Sequence, residues 1–133
     1  MKLDIACIRD ILLCLEDRLV LTDELKYNFL DLYEICQTEN LQKYSHSQIA
    51  YTICKLEEAD FINASVQYGN NSINFIAVSS ITFAGHQFLD TIRPESVWSK
   101  IHSISEKTGL KSISAIMDIA EIILPDTIKS AIT

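Results

Sequence analysis

Glycine and proline are scarce in this chain, three and two residues in 133. That scarcity favours helices joined by short turns. Gly69, Gly85 and Gly109 form neither G-x-G-x-x-G nor G-x-x-x-x-G-K-[ST], which excludes the common phosphate-cradling loops. Cations are in deficit, 11 Lys and Arg against 18 Asp and Glu, for a net charge of −7. A surface of that sign repels phosphate backbones and anionic membranes at long range, so a general nucleic-acid binder is excluded while a local basic patch is not. Cys7, Cys14, Cys36 and Cys54 make no C-x-x-C pair and have no histidine at ligand spacing. They read as reduced, buried thiols, with no disulfide framework and no metal site. The opening MKLDIACIRD carries Asp4, Arg9 and Asp10, so it lacks the apolar core of a secretory signal. The last apolar stretch is interrupted by Asp118 and Glu121, so no membrane span is expected and the chain is expected in the cytoplasm. No H-E-x-x-H or G-x-S-x-G occurs, and His46, His86 and His102 are far apart. Glu16-Asp17 and Glu57-Glu58 are adjacent pairs that project in different helical directions. Nothing here points to a cofactor or to catalysis, and the chain is not expected to be an enzyme.

What is present is apolar periodicity. Hydrophobic residues make up 48% of the chain, enough for a real core. Ile5, Ile8, Leu12 and Leu15 recur at three- and four-residue steps and predict a helix over Leu3–Asp17. Arg18–Thr22 reads as a short strand. Asn28–Asn40 reads as a second helix, although alternation around Tyr27–Leu32 also permits a strand. Ser45 or Ser47 caps the next helix, which puts Ile49, Ala50, Ile53, Cys54 and Leu56 inward and Gln48, Tyr51, Thr52 and Lys55 outward. Phe61–Tyr68 and Ile73–Ile81 read as strands joined by Gly69-Asn70-Asn71-Ser72, residues that tolerate positive φ. Thr82 caps a helix through Phe83, Phe88, Leu89 and Ile92; Pro94 opens another, in which Trp98 anchors the core. Thr108-Gly109 breaks that helix. A last one follows, expected to stop at Pro125, with the stripe Ile113, Ile116, Met117, Ala120, Ile123 and Leu124.

Helix, strand, turn, strand and capped helix in that order predict an α+β, helix-rich winged helix-turn-helix. The winged-helix domain, with a two-stranded wing, takes residues 1–92, and extra C-terminal helices take 93–133. The wide terminal stripe fits packing back on the Leu3–Asp17 helix or, narrowly ahead of that, a homodimer face. Two partner classes fit. In the first, a DNA-binding transcription regulator offers Ser47, Gln48, Tyr51, Thr52 and Lys55 to double-stranded DNA, since Gln reads adenine and Ser or Thr contacts bases or phosphates. The fold places it narrowly first. In the second, the fold is kept as a protein-interaction module that uses Tyr68, Asn70 and Asn71 against a host protein. Phe61 to Leu89 contains no Lys, Arg, Asp or Glu, and a wing that follows a phosphate backbone normally brings cations.

The blocks CIRDILLCLED, YSHSQIAYTICKLEEADFI and ITFAGHQFLDTIRPESVWSK, with the amphipathic terminal helix, resemble the domain of unknown function 2513 family. Gly85–Lys100 is the most specific piece of that likeness. The resemblance covers about Leu3 to Leu124. It implies a winged-helix-like fold in a Gram-positive bacterium, its phage or another mobile element, with no catalytic activity and no binding residues carried over.

Overall fold

The computed structural model describes residues 1–132, with side chains described through residue 123. Among the described residues the chain is mixed α+β, with six α-helices and one three-stranded antiparallel sheet.

Helix α1 spans Ile5–Arg18, and Asp4 caps it by accepting the Ala6 amide at 2.9 Å. Its Ile5, Ile8, Ile11, Leu12 and Leu15 are buried. The segment after it departs from expectation. Arg18–Thr22 is not a strand: only an isolated bridge joins Leu21 to Tyr27. The third strand of the sheet is β1, Leu30–Asp31, paired to Val78 and Ala77. The long second helix is also corrected, to a short α2 (Leu32–Cys36) and a 3-10 turn (Glu39–Leu41). Both corrections have one cause. Asp31 accepts the Glu34 amide while Glu34 accepts the Asp31 amide, a reciprocal cap that starts a helix at Leu32 and not before. Leu30, just ahead of it, is drawn into the core beside Val78.

Ser45, not Ser47, caps α3 (His46–Glu58), accepting the Gln48 amide at 3.1 Å. The helix ends where Asp60 takes a left-handed conformation, φ 62°, and the Phe61 amide returns to the Leu56 carbonyl. Strands β2 (Ile62–Gly69) and β3 (Ser72–Ile81) form the hairpin, and the strand order is β1-β3-β2. Asn70 and Asn71 both have positive φ, as a two-residue hairpin turn with the right twist requires.

Thr82 caps α4 (Phe83–Ile92), accepting the Gly85 amide and donating to the Asp60 carbonyl. A Cβ on Gly85 would collide with the Phe61 carbonyl oxygen, so α4 seats against the end of α3 only because residue 85 is glycine. Phe83 is 79% exposed: the cap at Thr82 aims the first turn outward, and Phe88 fills the interior against Phe61.

Helices α5 (Glu95–Thr108) and α6 (Ile113–Ile132) follow, with Gly109 in the left-handed region between them. The expected stop at Pro125 is corrected, since α6 continues to Ile132. A proline within a helix deletes one backbone hydrogen bond, which bends a helix more readily than it ends one held by its neighbours.

One buried cluster joins α1, α3, the inner face of the sheet and α4 to α6. Trp98 packs at its margin under the Arg9 guanidinium, 5.2 Å from the ring centre. Arg9 also donates to the carbonyls of Ile92 and Arg93, which closes the C-terminal end of α4.

Candidate recognition groove

Helix α3 lies with most of its surface in the core. Ile49, Ile53 and Leu56 are fully enclosed. Its outer surface is a stripe at helical spacing, Ser47, Tyr51, Lys55 and Glu58. Beside it rises the hairpin. The register shift after Gln67 pairs Tyr68 with Ile73, which turns both toward α3. Between helix and hairpin runs an open groove of about 810 Å3. Ala50, Cys54 and Leu32 form its apolar floor, and His46, Ser47, Tyr51, Lys55, Glu58, Tyr68 and Asn71 are among its walls.

The polar groups of this groove are largely committed to one another. Lys55 Nζ lies 3.0 Å from Glu58 Oε2 and 5.3 Å from the centre of the Tyr51 ring. The hydrogen bond to Glu58 holds the lysine above its ordinary pKa, so it stays protonated. Burial pushes the Cys54 thiol up, so it is a neutral floor group and not a nucleophile. Lys43, the next cation along the chain, is 3.2 Å from Asp10.

Five of the eight sequence-predicted recognition residues meet in this groove: Ser47, Tyr51, Lys55, Tyr68 and Asn71. Asn70 is exposed at the hairpin tip but outside the groove lining. Thr52 is a correction. It was expected outward and is wholly buried, its hydroxyl 2.7 Å from the Gln48 carbonyl and 3.6 Å from Cys7 Sγ. A threonine that bonds back to the preceding turn satisfies its hydroxyl without water, so it tolerates the core. Gln48 is half-buried, and its amide contacts the Lys2 carbonyl and Thr52. Sequence reasoning missed the floor. Ala50 and Cys54 were read as core on their spacing, and only the lean of the hairpin leaves them beneath an open channel.

The terminal stripe is divided. Ile116 and Ala120 are buried with Ile119, within the same chain. Ile113 and Ile123 are half-buried, Met117 is 41% exposed, and Leu124 lies outside the residues whose side chains are described. All four cysteines are free and buried. Among the described residues no group of His, Cys, Asp and Glu converges as a metal site, and no helix is long and apolar enough to cross a membrane.

A small α+β chain with a largely uncharged groove between one helix and one hairpin is the class that fold and site define. Residues 2–111 match the family model described as "Hypothetical protein (DUF2513)", and the chain belongs to that family. No curated protein matches the chain, and no solved structure does.

Proposed function

We propose that this is a non-enzymatic recognition module of winged-helix type, and that the groove between α3 and the hairpin takes a segment of another protein. The order helix, short strand, two helices, hairpin, with strands in the order β1-β3-β2, supports the architecture. The charge state of the groove carries the choice of partner. Its lysine is bound by Glu58, and the hairpin has no charged side chain. Binding to a phosphate backbone draws its affinity from cations that displace counterions, and this surface offers none that is free on α3 or the hairpin. Tyr51, Tyr68 and Ile73 are the residue types, and their neighbours the uncharged kind of surface, that protein interfaces bury.

A bacterial or phage origin, a host protein as partner where the chain is encoded by a phage or mobile element, and a cytoplasmic location belong to the same proposal. The four free thiols support a reducing compartment. A second reading, a DNA-binding transcription regulator, is favoured by the element order and by the outer stripe of exposed Ser47 and half-buried Tyr51.

The two separate cleanly. A photo-crosslinking residue at position 68 is expected to yield one discrete protein adduct, lost when Ala50→Arg fills the groove floor. Selection from a random duplex pool at low salt is expected to return no sequence. Recovery of a defined duplex that Lys55→Ala weakens, with a salt slope of several, would overturn the protein reading in favour of DNA.

A further inference from the structure

The sheet has two edges, and they are managed differently. One is β1, two residues long and ending at Asp31. The other is β2, eight residues of outermost strand. Natural sheets blunt a long edge with lysine, proline, an inward charge, a bulge or a covering element, because unpaired backbone groups recruit another strand. From Ile62 to Gly69 there is no proline and no charged residue. The two register shifts of the hairpin put the extra residues, Ser79 and Asn74, on β3, so the residues of β2 follow one another without interruption. Asn63, Ser65, Gln67 and Tyr68 along it are exposed.

We propose that this edge is a self-association surface, on which a second copy of the chain lays its own β2 antiparallel to make one continuous six-stranded sheet. Charge selects the occupant and the direction. Two copies at net −7 repel unless the surfaces that meet are uncharged, and the hairpin is such a surface. Glu57, Glu58 and Asp60 stand just ahead of β2. A parallel neighbour would bring these acidic groups together. In an antiparallel pair centred on Ser65, Asp60 falls opposite Asn70 of the second copy. The two acidic ends are then on the order of 30 Å apart at roughly 3.3 Å per residue, several times the ~8 Å screening length at physiological salt. The same register sets Asn63 against Gln67 and Ala64 against Val66, so amide meets amide on the outer face and apolar meets apolar on the inner one. The backbone bonds and these pairs make the strand complementary to itself reversed. Pairing here does not depend on which macromolecule the groove takes.

Sedimentation of the full chain tests the proposal. The wild type is expected at the mass of a dimer. Ser65→Lys, which meets its own copy across the pair, is expected to weaken association by about 100-fold, the scale of a like-charge juxtaposition, and Gln67→Lys, which loses its amide pairing with Asn63, to weaken it less, both with the thermal transition and helical signal retained. Ser65→Cys is expected to form an interchain disulfide on mild oxidation, since opposed residues of an antiparallel pair lie within disulfide reach and the four native thiols are buried. A monomeric wild type at about 100 µM, well above the range of a specific dimer, would overturn the proposal. So would a dimer that persists in both lysine variants, or one that only Ile122→Lys on α6 dissolves.

Discussion

The junction of α1, α4 and α5 and the face made by α3 and the hairpin use the same kinds of residue to opposite ends. At the junction, charge is structural. Arg9, little exposed, closes the last carbonyls of α4 and covers Trp98; Arg93 pairs with Glu16 and Asp90; and Ile92, Val97 and Ile101 are enclosed beneath them. At the other face charge is nearly absent or neutralised in place, while Tyr68, Ile73 and Phe75 stand in solvent. The difference teaches where the chain places its cost. A surface meant to stay solvated benefits from ions; one meant to be covered is cheaper to strip of water when it holds few.

That contrast has measurable consequences. The largest belongs to the interior that both regions share. Phe88, stacked on Phe61 with ring centres 5.0 Å apart, should cost about 3–5 kcal/mol when cut to alanine, read as a fall in the calorimetric transition. Gly85→Ala should cost about 3 kcal/mol for the clash with Phe61; a neutral result would mean that α4 does not sit as described. Arg9→Ala comes next, at about 2 kcal/mol, because it strips two carbonyls of a charged donor and uncovers Trp98.

Alkali should act on the core through its acids. Burial raises the Cys7 thiol from 9.0 to about 11, and burial and the bond to Asp10 raise the Tyr44 phenol. Both groups ionise more readily in the unfolded chain. Their contribution to stability is therefore complete below pH 9 and lost as pH rises through 9 to 11 and beyond. Urea midpoints taken across that range should fall, and Tyr44→Phe should flatten the upper part of the decline. The smallest effect is expected on the other face. Tyr68→Ala and Ile73→Ser should each change stability by less than about 0.5 kcal/mol, and Ile73→Ser should abolish the adduct formed from position 68. Equal losses of stability at Tyr68 and Phe88 would erase the distinction between the two regions.

Local chemistry made much of this legible in advance. Ser45 and Thr82 cap helices because a short hydroxyl at the right offset has a backbone amide to accept. The Asn70-Asn71 turn follows from the tolerance of asparagine for positive φ. Tyr27 to Cys36 was legible only as an ambiguity. A two-residue strand carries too little pattern to outvote its neighbours, and its pairing partners, Ala77 and Val78, lie far along the chain. Thr52 was misplaced because a residue at the border of a helical stripe is assigned inside or outside by what packs over it, and a helix wheel does not contain the neighbour.

Sequence alone determined the kind and order of most elements, the acidic balance and the uncharged hairpin, since caps, turns, apolar spacing and net charge act between residues close in the chain or on the chain as a whole. Tertiary structure alone decided that α3 and the hairpin enclose a channel, that Gly85 is required, and that β2 rather than β3 ends the sheet. Each of these depends on residues distant in the chain coming within a few ångströms, and only the closed fold sets such distances.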